Sequence, residues 1–160
     1  MRYGTVVAAG VMVSATLAVA TAQSALVTYP EHFRSWAHVK TGLMGPQSPG
    51  FGTFGGFHHI YANDKAMEGY RTGHFPDGSV IVFDRLESHD AAGSTTEGAR
   101  LSIDVMSKDE QHPANGGWQF ERFLKDSHTE REPNAEFKAQ CATCHTTRKD
   151  HDYVFSEYRK

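Results

Sequence analysis

The chain opens on an apolar run from Val6 to Ala20, preceded by the single charge of Arg2 and closed by the small residues Ala20-Thr21-Ala22. That pattern predicts a secretory signal peptide over residues 1–22, with 23–160 as the mature chain. No second apolar stretch of about 18 residues follows, so no membrane span is expected in the mature protein. Tyr29 to Lys40 carries Phe33, Trp36 and Val39 at spacing three and leaves a short helix and the approach to a strand both open. Residues 42–56 contain six glycines with Pro46 and Pro49 and read as a loop. Phe57-His58-His59-Ile60-Tyr61-Ala62 predicts a strand, Asn63 the cap of a short helix reaching Gly73, and Pro76-Asp77-Gly78 a turn. Ser79 to Phe83 is apolar on both faces, as a central strand would be.

Residues 87–98, rich in Ser, Gly, Ala and Thr, read as a connection to the next strand, Arg100 to Ser107. There Leu101, Ile103 and Val105 alternate with Ser102, Asp104 and Met106, which predicts a half-buried strand. Trp118 to Phe123 predicts another strand, with Phe123 out of step. Asn134 can cap a helix beginning at Ala135, on which Phe137 lies four residues before Cys141. Antiparallel strands, a few short helices and a C-terminal helix make an α+β arrangement. Removing 22 of 160 residues leaves 138, enough for one domain.

Composition changes this picture in two ways. Loss of Arg2 leaves 15 basic against 19 acidic residues from the 16 and 19 of the full chain, a net charge of −4 with histidine neutral. With no Lys/Arg stripe, the chain does not read as a nucleic-acid binder. Of its 10 Phe, 6 Tyr and 2 Trp, only Tyr3 falls in the signal, so aromatics must supply much of a lean core. A large apolar prosthetic group would help fill it.

Both cysteines lie in Cys141-Ala142-Thr143-Cys144-His145, the C-x-x-C-H pattern of c-type haem attachment. Chance produces it roughly once in a thousand chains of this composition. On one helical turn i, i+3 and i+4 share a surface, so two thiols can reach two vinyl groups while the imidazole comes under the iron. Export agrees, because covalent haem attachment in bacteria takes place outside the cytoplasmic membrane. A disulfide or thioredoxin-like pair would want the first Cys at a helix N-terminus after a strand. A zinc site from Cys141, Cys144, His145 and His151 would lack the usual two separated ligand pairs. His58 and His59, adjacent on a strand, point to opposite faces and cannot share a metal; one is expected to pack inward with a hydrogen bond.

The series Phe33-Arg34-x-Trp36, Phe57-His58-His59-Ile60-Tyr61-Ala62-Asn63, Phe75-Pro76-Asp77-Gly78-Ser79-Val80, Gly116-Gly117-Trp118-x-Phe120, C-x-x-C-H and Asp152-Tyr153-Val154-Phe155 resembles the cytochrome P-460 family across nearly all of the mature chain. The resemblance implies an antiparallel β-rich fold and a homodimer. It also implies one haem c held by two thioethers at Cys141 and Cys144, with His145 as proximal ligand and the distal side open. In the hydroxylamine-oxidising branch a lysine is cross-linked to the haem, and alignment places Phe83 there. The chain thus looks like the cytochrome c′-beta branch, in which phenylalanines cap the iron, here Phe83 with Phe54 or Phe57. An apolar distal pocket suits NO or CO, which need little polar help. The expected function is a periplasmic trap, carrier or sensor of NO, with electron exchange and an unidentified redox partner left open. Two alternatives stand beside it: a six-coordinate electron carrier using Met44, Met67 or Met106, and hydroxylamine-oxidising or peroxidase-like catalysis.

Overall fold

Period-two patterns dominate the chain, and they assemble into one sheet. In the computed structural model, which describes Met1 and residues 26–159, β1 (Ala37–Met44), β2 (Gly56–Ala62), β3 (Val80–Ala91), β4 (Ser94–Lys108) and β5 (Trp118–Leu124) pair antiparallel in chain order. Apart from Met1, the expected signal peptide lies outside the described residues. Three helices complete the domain: α1 (Phe51–Phe54), α2 (Asp64–Thr72) and the C-terminal α3 (Ala135–Thr146). This is the α+β, antiparallel, single-domain arrangement that the sequence predicts. Among the described residues no helix is long and apolar enough to cross a membrane.

Alternation splits the strands between two cores. Ile60, Ala62, Ile81, Trp118 and Phe120 face one side, where they pack with Ala66, Phe75, Ala142 and Val154 from α2, α3 and the connecting segments. Tyr61, Val82, Ile103, Val105 and Phe123 face the other, covered by Val27, Phe33, Tyr29 and Trp36 from the N-terminal segment. β3 is the middle strand and apolar on both faces, as expected, because it feeds both cores. Phe123 is out of step with Trp118 and Phe120 for the same reason: β5 is buried on both sides.

The structure corrects three local readings. Ala37–Met44 is a strand, and the glycine-rich stretch after it contains α1. Gly42 has a specific reason to be glycine, since a Cβ there would run into the His58 ring opposite it on β2. The expected connection over 87–98 is instead the extension of β3 and β4 into a long hairpin, turned by Ala92 and Gly93 at φ 49° and 79°. Two successive positive φ values give a two-residue turn matched to strand twist, so the ladder continues where polar composition suggested a loop. β4 is not half-buried: Ser102 is fully buried on the side shared by Asp104 and Met106.

Candidate functional site

Asn134 starts α3 by accepting a hydrogen bond from Glu136 N at 2.9 Å, satisfying one of the free N–H groups of the first turn. The helix is tied to the sheet at Glu121, only 1% exposed, whose Oε2 accepts from Lys138 Nζ at 2.8 Å and Arg131 Nη1 at 2.6 Å. Next to Lys138, Phe137 is buried beneath the Arg122 guanidinium, which lies 4.0 Å from its ring centroid. Arg122 in turn donates through Nε to Asp104 Oδ1 at 2.6 Å, and its Nη2 meets the other carboxylate oxygen. These contacts seat α3 over the sheet face that carries Phe120, Met106 and Phe83.

Cys141, Cys144 and His145 fall on the last two turns of α3. Cys141 packs against the aromatic core, and burial pushes its thiol up to about 11, so it stays protonated at neutral pH. Cys144 is exposed, and the two cysteines are not joined in a disulfide. His145 is flanked by Phe120 and Phe155, each with its ring centroid 5.0 Å away. Its Nδ1 lies 2.7 Å from the Tyr153 carbonyl oxygen. A carbonyl can only accept, so Nδ1 carries the proton and donates, leaving the Nε2 lone pair free. Burial also lowers the pKa of His145, which favours the neutral ring that a metal needs.

Across the same sheet face, Phe83 and Phe54 meet edge to face with centroids 6.2 Å apart. Phe57 is placed on the opposite face, stacked against His59 at 6.3 Å. Of the two candidate partners for Phe83, then, only Phe54 is brought to it. His58 faces inward, stacked on Phe83 at 4.5 Å with an interplanar angle of 13°. It packs without the expected hydrogen bond, for its Nδ1 is buried and has no partner. Desolvation, helped by His59 and Lys40, lowers its pKa. His59, on the other face, is bonded through Nδ1 to Thr41 Oγ1 at 2.8 Å, while its Nε2 lies 2.6 Å from the Glu97 carboxylate without hydrogen-bond geometry.

Sequence reasoning missed the polar groups on this face. Arg85 donates to Ser102 Oγ at 3.2 Å and to the Thr53 carbonyl beside Phe54, while Arg122 and Asp104 pair as described. Asp104 and Ser102 were visible only as the polar half of an alternation, and their partners come from neighbouring strands. Met106 lies on this face and packs against its core, as does Met67 from α2; Met44 is on β1. Among the described residues no three His, Cys, Asp or Glu side chains gather as a metal site, so the Cys141, Cys144, His145 and His151 set for zinc is not assembled.

The residues fit a haem. Two thiols and an imidazole with a free lone pair lie on one helix, beside a core edged by partly buried Phe83, Met106 and Tyr153 and a half-exposed Phe155. Such apolar surface, with an orphaned imidazole nitrogen beside it, is what a protein leaves for a large flat apolar group. The family model described as Cytochrome P460 matches residues 30–156. No curated protein matches the chain.

Proposed function

The chain belongs to the cytochrome P460 family and so to a family of haem proteins, and from that premise we propose that it is a periplasmic c-type cytochrome that binds NO or CO. In this reading Cys141 and Cys144 hold a single haem as thioethers, each thiol adding its S–H across one vinyl group. His145 supplies Nε2 as the proximal ligand. Phe54 and Phe83 cap the other side, as in the c′-beta branch. When bound, the haem supplies an iron with one open position for a neutral diatomic.

The observation that carries the reading is the 2.7 Å bond from His145 Nδ1 to the Tyr153 carbonyl. It holds one ring tautomer and leaves the Nε2 lone pair on the side of the ring away from the Tyr153 carbonyl. The gas specificity is supported by the Phe54–Phe83 pair and by the state of the polar groups around it. Arg85 and Arg122 are tied to Thr53, Ser102 and Asp104, and a guanidinium, charged at any ordinary pH, is a poor acid toward a bound ligand. Phe83 stands where the hydroxylamine-oxidising branch has its lysine. Lys65 is bonded to the Asp77 carbonyl at 2.8 Å, and Lys40 lies on β1.

Met106 favours one competing reading, since its thioether shares the face with Phe83 and Phe120. The visible spectrum of the reduced protein, matured with covalent haem, separates the two. A high-spin spectrum that shifts with CO, and whose proximal signature is lost in His145→Ala, is the expected result. A low-spin spectrum indifferent to CO, restored to CO sensitivity by Met106→Leu, would replace gas binding with electron transfer.

A further inference from the structure

Two of the sequence blocks that carry the family resemblance, those of Phe75 and of Gly116 to Trp118, converge with the end of β4 on a third at one residue, Asp152. Its Oδ1 accepts from Lys108 Nζ, the last residue of β4, at 2.6 Å. Its Oδ2 accepts from Phe75 N, in the segment after α2, at 2.8 Å. Its backbone carbonyl accepts from Trp118 Nε1, the first residue of β5, at 2.8 Å. The cluster is interior: the Lys108 side chain is 4% exposed and the Asp152 side chain 12%, with Lys108 Nζ 5.1 Å from the Trp118 ring centroid. Gly116 belongs to it too, because a Cβ there would collide with the Tyr153 ring.

What this cluster grips is a stretch of unfavourable backbone. Asp152 and Tyr153 have φ of 50° and 66°, left-handed values that residues with a Cβ adopt only when held. That double turn brings the Tyr153 carbonyl back to His145 Nδ1, while Tyr153 N donates to the Arg148 carbonyl at 2.8 Å. Each bond to Asp152 comes from a different element, so the carbonyl's place is fixed by the sheet and by the segment after α2 rather than by α3.

We propose that Asp152, with Lys108 and Trp118, is a positioning group for the proximal ligand. By fixing the Tyr153 carbonyl it sets the strength of the Nδ1–H bond, and through that bond the electron donation available at His145 Nε2. A firmly held acceptor makes the imidazole a stronger ligand, which lowers the reduction potential of a haem it binds. This inference rests on His145 being the proximal ligand.

The test is resonance Raman and potentiometry on the reduced, haem-loaded protein for Asp152→Asn, Lys108→Met, Lys108→Arg and Trp118→Phe, with Asp84→Asn in the opposite core as a stability control. Asp152→Asn, Lys108→Met and Trp118→Phe are expected to lower the iron–histidine stretching frequency and raise the midpoint potential. Lys108→Arg should restore most of both. Trp118→Phe removes one donor while keeping an aromatic ring and every charge, so it reports even if the charge variants fail to fold. An unmoved frequency in folded variants, or an equal shift in Asp84→Asn, would reduce the cluster to a structural role. If the parent protein is high-spin and five-coordinate yet lacks an iron–histidine mode, it is the assignment of His145 that fails.

Discussion

His58 illustrates how one side chain's chemistry depends on what is missing around it. Gly42 leaves room for the ring, Phe83 stacks on it, and no acceptor or donor reaches Nδ1. Its pKa lies below the ordinary 6.5, through desolvation first and then the charges of His59 and Lys40. Below pH 6.5 the unfolded chain therefore binds a proton that the folded protein resists, so stability is complete above that pH and is lost as pH falls through the folded-state pKa. Denaturant unfolding at pH 7.5 and 5.5 should show this loss in the parent, and a smaller one in His58→Phe, which keeps the stack on Phe83 but cannot titrate. In the gas-binding reading Phe83, stacked on the His58 ring, covers it from the ligand, so the same variant should leave the stretching frequency of bound CO unmoved. A clear shift would show that the pocket has a polar donor.

Among the elements, those with chemically explicit ends were legible and those specified by pairing were not. The side chains of Asn63 and Asn134 marked the starts of α2 and α3, and both accept the expected cap hydrogen bonds. Asn63 does more than cap: its Oδ1 also takes Val80 N at 3.0 Å and its Nδ2 donates to the Gly78 carbonyl at 3.0 Å, pinning α2 to the start of β3. Asn63→Ala should cost about 1–2 kcal/mol for the cap alone and more for the strand N–H left without its partner. Urea unfolding measures the loss, with Asp64→Ala, outside that bonding, as the comparison. β1 and the hairpin beyond Glu87 carried no comparable signal. The hairpin is polar and β1 loses its alternation at the register shift between His38 and Lys40, so it is the ladder to a neighbouring strand that makes them strands.

At the scale of the molecule, the sheet separates a structural core from a functional one. Phe123, fully buried, packs with Tyr29 at 5.2 Å and under the Arg131 guanidinium at 4.5 Å, all on the face away from α3. Phe123→Ala should therefore destabilise the fold by about 3–5 kcal/mol and yet leave the reduced and CO-bound spectra of the folded protein unchanged. Calorimetry and the visible spectrum together decide it; a spectral change would mean that the two faces are coupled through the sheet.

Sequence alone determined what is local. C-x-x-C-H, the two asparagine caps, the alternation of β2 and β4 and the twofold apolarity of β3 are properties of residues a few positions apart, governed by helix and strand periods. Tertiary structure decided what depends on register between distant segments. It put Phe54 rather than Phe57 beside Phe83, because neighbours on a strand point to opposite faces while α1 lies over the inner one. It paired Arg122 with Asp104 and gathered Lys108, Phe75 and Trp118 around Asp152, residues up to 77 positions apart. Hydrogen bonds and ion pairs act over about 3 Å, and only folding brings such residues within that range.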